Sequence, residues 1–328
     1  MFTFLTISYN QEKYIIEHLE SIKYQILNFG NRLQFQYIIS DDCSTDNTIF
    51  LVNEWVKRNK FLFEEIIILT NSENKGIVSN YLKGISSIVT NYYKSLAGDD
   101  LYYRNNIFEV IEDNELVFTP VIRFGQCEKI RSNGDINFKK LIRLEKIEEI
   151  KKRLTFGNLF DAPGAFMKTE IIQDKGLMSF LSNYSWIEDL PQWYYIFKNV
   201  SNLKLNIKEK PYILYRTTDG ISNKRSKHNQ YNLESLKIMK QFYPKSAKYP
   251  KYINPYKYYS KFQSIKIKYF DSKMNLRIKG FTNIMKEERK NAPKYLTHIR
   301  NEAYNFYKQI GEEQLYDYKP IIESNNSR

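Results

Sequence analysis

The sequence is poor in cysteine and histidine and has no long apolar run. Its two cysteines, Cys43 and Cys127, allow at most one disulfide, and such sparse use fits a reducing cytoplasm. The three histidines, His18, His228 and His298, are too scattered for a multi-histidine metal site or a local Ser-His-Asp motif. Because no stretch approaches about 20 uninterrupted apolar residues, we expect no membrane-spanning helix.

The amino-terminal residues lack a basic leader, so they indicate a first strand and not a signal peptide. With 42% hydrophobic and 27% charged residues, the composition is typical of a folded soluble protein. A chain of 328 residues can form one large domain with an appendage, or two domains.

Positive charge is concentrated in one part of the chain. Residues 1–223 hold 27 Lys and Arg against 28 Asp and Glu, whereas residues 224–300 hold 20 against four. We therefore predict a nearly neutral main domain over residues 1–223, followed by a basic, aromatic-rich and mostly helical region over residues 224–328.

Four short apolar runs alternate with segments of helical periodicity in the first hundred residues. The runs are Phe2–Ser8, Phe35–Ser40, Glu65–Leu69 and Tyr93–Leu96. This alternation predicts an α/β fold with a parallel, doubly wound sheet. In such a sheet, ligands bind beyond the carboxyl ends of the strands.

The pattern is looser in the second half of the main domain, which we place at residues 115–223 after a first half at residues 1–114. We predict strands over Leu116–Phe124 and Tyr212–Arg216, and a turn into a buried strand over Phe156–Met167. A helix is expected to open at Trp186–Trp193, and the charged segment Asp135–Arg153 is expected to form a solvated loop and helix.

Polar clusters follow three of the predicted strands, namely Asp41–Asp46, Asn74–Gly76 and Gly98–Asp100. Two adjacent carboxylates at the mouth of a sheet are costly without a cation, and a divalent metal that holds a diphosphate would compensate them. The structural alternatives are a turn and helix start for Asp41–Asp46, and an N-capping pair for Asp99 and Asp100.

Together these elements resemble the nucleotide-sugar-dependent glycosyltransferases of family 2, which have the GT-A fold. The matching segments, in order and spacing, are Thr6–Asn10, Ile39–Asp46, Asn74–Gly76, Gly98–Asp100 and Glu188-Asp189. They cover roughly the first 220 residues. The resemblance implies a mostly parallel sheet flanked by helices. It also implies transfer of a sugar from a nucleoside diphosphate to an acceptor hydroxyl, with inversion and with Mn²⁺ or Mg²⁺.

The resemblance implies a donor-binding set, with a UDP-sugar as the expected donor. Tyr9 would stack on the base, while Thr6 and Asp41 or Asp42 would contact the base edge or the ribose. The full set is Thr6, Tyr9, Asn10, Asp41, Asp42, Lys75, Gly76, Asp99 and Arg216.

Asp99 and Asp100 are the expected metal ligands, since a metal that bridges both phosphates would stabilise the leaving diphosphate. The chain departs from the family twice. The family often has an acid where this chain has Ala97, and a histidine where it has Thr218. Asp99 and Asp100 would therefore serve both the ribose and the metal.

The resemblance makes Asp189 the general base that takes the proton of the acceptor hydroxyl. Glu188 beside it would raise its pKa or orient it, with Trp186, Pro163 and Gly164 on the acceptor side. The structural alternative is that both acids simply favour a helix N-terminus.

The basic region leaves two interpretations open. It can attract the protein to an anionic membrane surface, beside a polyprenyl-diphosphate-linked acceptor, or it can pack on the main domain or on a second subunit in a homodimer. A nucleic acid partner is disfavoured because no known binding module is present.

We interpret the chain as an inverting, metal-dependent glycosyltransferase of bacterial surface polysaccharide (capsule) or lipid-linked glycan synthesis. It is expected in the cytoplasm or peripherally on the inner face of the membrane. One alternative is a non-catalytic nucleotide- or glycan-binding scaffold, supported by Ala97. A sugar nucleotidyltransferase is the other, but no glycine-rich phosphate loop with Lys or Arg lies near the first strand.

Overall fold

The computed structural model describes residues 1–110, 114–124 and 160–217, together with parts of the basic region. Those parts are residues 230, 233–235, 237–238, 241, 298–299, 301–311 and 318. The expectation for Asp135–Arg153, the family departure at Thr218, and most of the basic region lie outside the described residues.

Four parallel strands form the first half of the central sheet, as the sequence predicts. They are β1 (Phe2–Ser8), β2 (Phe35–Asp41), β3 (Glu65–Thr70) and β4 (Tyr92–Ala97), in the spatial order β3-β2-β1-β4. Helices α1 (Ile15–Phe29), α2 (Thr48–Asn59) and α3 (Ile77–Ser86) connect them. The expected α/β class and mostly parallel sheet are confirmed.

Three further strands extend this sheet beyond β4. They are β6 (Leu116–Phe118), β8 (Ala165–Lys168) and β9 (Leu205–Ile207), in the order β4-β8-β6-β9. Strand β8 runs antiparallel to both β4 and β6, and β9 is parallel to β6. Helices α4 (Thr169–Ile172), α5 (Lys175–Leu181) and α6 (Asp189–Asn199) lie between β8 and β9 in the chain.

A smaller sheet contains β5 (Leu101–Tyr102), β10 (Ile213–Arg216) and β7 (Val121–Phe124), in that order. The prediction of one strand over residues 116–124 is wrong, because this segment forms β6 in the large sheet and β7 in the small one. Thr119 and Pro120 lie between them, and Pro120 cannot donate a hydrogen bond to a ladder.

The central sheet is buried on both faces, so its strands are apolar on both sides. On one face, Phe4 and Ile39 pack with Trp55 of α2 and with the inner face of α1. On the other face, Leu5 and Ile38 pack with α3 and α6, where Trp193 is almost fully buried. These two cores hold the loops at the sheet edge in place.

The described end of the chain packs on the small sheet. Residues 301–311 are helical, and Ala303, Phe306 and Ile310 are buried against Leu101 and Ile122. Packing on the main domain is therefore observed for these residues. Within the described ranges, no helix combines the length and apolar character needed to cross a membrane.

Gly164 is a point where the backbone has no room for a side chain. A Cβ there would collide with the carbonyl oxygen of Thr119, which cannot move without disturbing the strand that precedes it. We expect Gly164→Ala to lower the free energy of unfolding by about 1–3 kcal/mol. Urea unfolding measures this, with Gly311→Ala as the control because its Cβ would meet only ordinary contacts of 3.4–3.5 Å. Equal stability of Gly164→Ala and wild type would contradict this packing.

Candidate functional site

The carboxyl ends of β1, β2 and β4 meet at one edge of the sheet. Ser8 of β1 is in register with Asp41 of β2, and Ile7 with Ala97 of β4. The loops that follow these strands carry Tyr9, Asp42 and Asp99, so the structure brings these predicted residues to one edge.

Asp41 holds the loop that follows β2. Its carboxylate accepts hydrogen bonds from the hydroxyls of Ser8 (2.7 Å) and Ser44 (2.6 Å) and from the backbone N–H of Ser44 (2.7 Å). Asp41 is only 1% exposed. The structural alternative for this residue is therefore observed, and its contact with a base or ribose stays a prediction.

Asp42 holds the next loop along the edge. Its two oxygens accept from the backbone N–H groups of Lys75 and Gly76 and from the side-chain amide of Asn71, each at 2.8 Å. Gly76 has φ of +87°, a conformation that favours glycine. The side chain of Lys75 is exposed, so it can reach a ligand above the loop.

The same edge carries three predicted residues that differ in solvent exposure, namely Thr6, Tyr9 and Asn10. Tyr9 is partly exposed at the surface, and Asn10 accepts from the backbone N–H of Thr45 at 2.8 Å. Thr6 is fully buried, and its hydroxyl lies 2.7 Å from Nε2 of His18. Because Thr6 is buried and already bonded to His18, its contact with a nucleobase stays a prediction.

His18 joins Thr6 to the turn that contains Asp99 and Asp100, which we call the acidic turn. Its Nδ1 lies 2.7 Å from the carbonyl oxygen of Asp100, which can only accept, so Nδ1 carries the proton and Nε2 accepts from Thr6. Burial lowers the pKa of His18 to about 4. His18 is therefore a neutral support of the turn at physiological pH.

Asp99 and Asp100 differ in environment although they are adjacent. Asp99 is partly exposed, and its carboxylate accepts from the side-chain amide of Gln11 at 3.3 Å. Asp100 is 1% exposed, and its Oδ1 accepts from the backbone N–H of Arg216 at 2.8 Å. Burial and then the charge of Asp99 raise the pKa of Asp100 well above its usual range, while Arg216 and Lys94 oppose the rise.

The guanidinium of Arg216 holds the acidic turn in place. Its Nε donates to the carbonyl oxygen of Asp99 at 2.8 Å, and its Nη2 pairs with the carboxylate of Glu17. Tyr307 of the C-terminal helix donates to the other oxygen of Glu17 at 3.1 Å. Arg216 thus anchors the turn, and a contact with a diphosphate stays a prediction.

The predicted motifs do not include Glu17, His18 and Tyr307, which support the turn. Glu17 and His18 lie within the buried face of α1, among Ile15, Ile16 and Leu19. Charged or polar residues inside an apolar helical face were the available signal. No comparable signal exists for Tyr307, since its partner is 290 residues away in the chain.

The residues at the turn fit a divalent cation. Oδ2 of Asp100 is buried and has no hydrogen-bond partner in the structure, so it is an acceptor without a donor. Mg²⁺ and similar ions are usually held by one or two carboxylates together with substrate phosphates. Among the described residues, no cluster of three or more His, Cys, Asp or Glu forms a complete metal cage.

Glu188 and Asp189 lie at the start of α6, beside a small cavity of about 40 Å³ between β4, β8 and α6. We call this the β4–α6 cavity. Its lining residues are Tyr81, Tyr93, Lys94, Ser95, Ala162, Ala165, Met167, Glu188, Asp189, Gln192 and Trp193.

The ionisable groups of this cavity have shifted pKa values. Burial, and then the negative charge of Asp189, raise the pKa of Glu188 to about 8. Burial lowers the pKa of Lys94 to about 7, against the opposing effect of Asp100. Lys94 donates to the carbonyl oxygen of Ala165 at 2.8 Å. Lys94 therefore lies in the cavity wall, and its pKa also depends on the charge of Asp100 in the acidic turn.

The remaining acceptor-side predictions lie around this cavity. Pro163 and Gly164 belong to a short turn over Ala162–Gly164, which leads into β8. The backbone N–H of Trp186 donates to Glu234 at 2.9 Å, and its side chain is partly buried. Sequence analysis did not predict Lys94, Gln192 or Glu234 at the site.

Comparison with known proteins gives one family over half of the chain. The model of the family described as Glycosyl transferase family 2 matches residues 3–170. A dTDP-rhamnosyl transferase of Shigella flexneri, RfbG, is 28% identical over 221 residues, which are 64% of this chain and 70% of that protein. An uncharacterized protein of Mycobacterium tuberculosis is 35% identical over 98 residues, but these are only 26% of its length.

Solved structures show the same fold at low identity. S. aureus TarS 1-349 aligns with a TM-score of 0.51 and 17% identity over 73% of this chain and 64% of that one. The mannosyltransferase PcManGT from Pyrobaculum calidifontis, solved with GDP-Man and Mn²⁺, aligns with a TM-score of 0.51 and 12% identity over 97% and 88%. The expected GT-A architecture is confirmed.

The raised pKa of Glu188 predicts a pH dependence of stability. Its carboxyl is favoured in the protonated form when folded, so its stabilising effect is present at low pH and is lost as pH rises from about 4.5 to about 8. Urea unfolding across this range should show wild type losing stability relative to Glu188→Gln, by at most about 1.4 kcal/mol per pH unit.

Glu170→Gln is the control for this pH series, because Glu170 is 69% exposed. Its unfolding free energy should run parallel to that of wild type at every pH. Parallel curves for Glu188→Gln as well would show that the Glu188 carboxyl has an ordinary pKa.

Proposed function

Since the chain belongs to glycosyl transferase family 2, and is thus a glycosyltransferase, we propose that it uses Asp189 as general base to transfer a sugar, with inversion, from a nucleoside-diphosphate sugar to an acceptor hydroxyl. One observation carries the proposal. Glu188 and Asp189 line a cavity whose opposite wall is β4, the strand that ends at the Asp99-Asp100 turn.

The donor nucleotide lies along the carboxyl edge of the sheet in this proposal. Tyr9 is partly exposed there and offers a flat surface for a base, and Asp41 and Asp42 shape the two loops beside it. S. aureus TarS 1-349 has been solved with UDP-GlcNAc, and PcManGT with GDP-Man. We favour a UDP-sugar as the donor of this chain.

Asp99 and Asp100 would hold Mn²⁺ or Mg²⁺ together with the donor diphosphate. The ion would stabilise the negative charge that the leaving nucleoside diphosphate gains. The residues of the chain prepare the turn for this task. Arg216 holds the backbone carbonyl of Asp99 and the carboxylate of Asp100, so the turn is in place before the donor binds.

Asp189 acts on the acceptor hydroxyl, which reaches the β4–α6 cavity in this proposal. The acceptor oxygen attacks the anomeric carbon as the bond from that carbon to the phosphate oxygen breaks, and Asp189 takes the hydroxyl proton. Glu188 helps because, with a pKa of about 8, it is mostly protonated near neutral pH. One negative charge then remains on the pair, and Asp189 can carry it.

The acceptor is a glycan or a polyprenyl-diphosphate-linked glycan of bacterial surface polysaccharide synthesis in this proposal. The Shigella flexneri relative is named a dTDP-rhamnosyl transferase, which supports sugar transfer but does not name an acceptor. The basic region, with 20 Lys and Arg against four acids over residues 224–300, would favour an anionic lipid surface near such an acceptor.

Asp189→Asn tests the assigned base. We expect the transfer rate to fall by about 10²–10⁴, because an amide cannot accept the hydroxyl proton. The donor is first identified from UDP-glucose, UDP-GlcNAc, GDP-mannose and dTDP-rhamnose by release of the nucleoside diphosphate. Binding of the nucleoside diphosphate of the identified donor should be unchanged in the variant, which separates lost chemistry from lost folding. Full turnover in Asp189→Asn would remove Asp189 as the base.

Asp100→Asn tests the metal-dependent part of donor binding. Calorimetric titration of UDP, GDP, CDP and dTDP, each with Mn²⁺ and with chelator, should show one nucleotide that binds more tightly with Mn²⁺. The variant keeps the size of Asp100 but loses its charge, so we expect this gain to fall about tenfold or more. A nucleotide affinity that changes neither with Mn²⁺ nor with Asp100→Asn would contradict the metal site. No binding of any nucleotide by folded wild type would favour the scaffold alternative.

A further inference from the structure

The segment that leads into Glu188 and Asp189 has no helix or strand of its own. Residues 184–188 lie between α5 and α6, and their backbone N–H groups therefore need partners outside regular structure. Three successive N–H groups share a single partner, the side chain of Glu234. The N–H groups of Ser185, Trp186 and Ile187 donate to the carboxylate of Glu234 at 2.9, 2.9 and 3.2 Å.

A carboxylate suits this arrangement better than any other side chain. Ser185 donates to Oε1, while Trp186 and Ile187 both donate to Oε2, so both oxygens are used. Hydrogen bonds from N–H groups to a charged acceptor are roughly twice as strong as neutral ones. The isosteric amide of glutamine would place a donor against at least one of these N–H groups.

The opposite side of the same segment rests on the donor-side loop. The carbonyl oxygen of Ser185 accepts from the N–H of Val78 at 3.4 Å, and it lies 3.1 Å from the position that a Cβ on Gly76 would take. Gly76 is itself held by Asp42. The segment is therefore fixed between Glu234 on one side and the Asp42 loop on the other.

Glu234 is itself held firmly by its neighbours in the chain. Ile238 is fully buried in the core that contains Ile187 and Leu190. Lys237 donates to the carbonyl oxygen of Asn183 at 2.9 Å. These contacts dock the Glu234 segment on the residues that precede α6, so its carboxylate has a fixed place.

We propose that Glu234 is a positioning residue for transfer, which holds the Glu188-Asp189 pair at the β4–α6 cavity through the backbone of residues 185–187. The proposal rests on the proposed function, since it assigns Asp189 its task. The consequence is that the region after residue 223 completes the active site. A misplaced reacting group can reduce a rate about 10²-fold. Loss of the hydrogen bonds from residues 185–187 to Glu234, which we call the Glu234 clamp, is therefore expected to reduce kcat more than it weakens donor binding.

Glu234→Gln in the full chain is the main test. We expect kcat to fall about 10- to 100-fold with the donor KM within about threefold of wild type, since the donor-side residues are untouched. Glu170→Gln is the matched control. It makes the same change from carboxylate to amide at a side chain that is 69% exposed and does not contact residues 185–187, so its kcat should stay within about twofold.

A second readout needs no substrate. Carboxyl NMR titration of wild type should show the Glu188-Asp189 pair with an upper step near pH 8, as the pKa of Glu188 indicates. The other titratable residues that line the cavity with Glu188 are Asp189, Tyr81, Tyr93 and Lys94. When Glu234→Gln loosens the segment, Glu188 becomes more hydrated and its pKa should fall towards 4.5. The melting temperature of each variant shows whether the fold is retained.

The outcomes separate this proposal from the proposed function. An unchanged kcat and an unchanged titration in folded Glu234→Gln would overturn the positioning role. If wild type turns over no sugar nucleotide, the proposed function fails, and the titration still decides whether Glu234 places the pair. If Glu234→Gln does not fold, hydrogen exchange of wild type decides instead. Slow exchange at Ser185, Trp186 and Ile187 supports the clamp, and fast exchange there refutes it.

Discussion

The buried ion pair between Glu17 and Arg216 is the interaction on which the acidic turn depends. Their side chains are 5% and 7% exposed, so each charge would be costly alone. Arg216 also donates through Nε to the carbonyl oxygen of Asp99 and through its backbone N–H to the carboxylate of Asp100. Burial raises the pKa of Glu17, while Arg216 opposes this rise and favours the charged form. The turn is thus fixed by charges that lie beneath the sheet edge.

Burial, more than charge, controls the ionisation of the groups around this turn. It is the largest cause of the raised pKa values of Glu17 and Asp100, and the positive charge of Arg216 opposes both rises. Lys94 also opposes the rise at Asp100, although burial lowers its own pKa to about 7. A divalent cation placed beside Asp100 would favour the charged carboxylate in the same way as Arg216 does. Ala97 supplies no third carboxylate, so such a cation would depend on Asp99 and Asp100.

Sequence patterns predicted the parts of the fold that follow from local periodicity. The first four strands appear within one or two residues of their predicted bounds, because each is an apolar run ended by polar turns. The split of residues 116–124 between two sheets was missed, since it depends on where distant strands such as β10 lie. Likewise, Asp41 and Asp99 could be found from motifs. The hydrogen bonds from residues 185–187 to Glu234 could not be predicted in this way, because a glutamate in a helical pattern is ordinarily a solvated residue.

The distribution of these contacts along the chain has a further consequence. The family match ends at residue 170, yet the residues that hold the site include Arg216, Glu234 and Tyr307. Each acts on backbone or on another charge, and each contacts a different part of the edge. A site built on parallel strands has its loops free at one end, and those loops need supports from elsewhere. Here the later part of the chain supplies them, so the acidic turn and the Glu188-Asp189 pair are held by contacts from residues beyond the matched family segment.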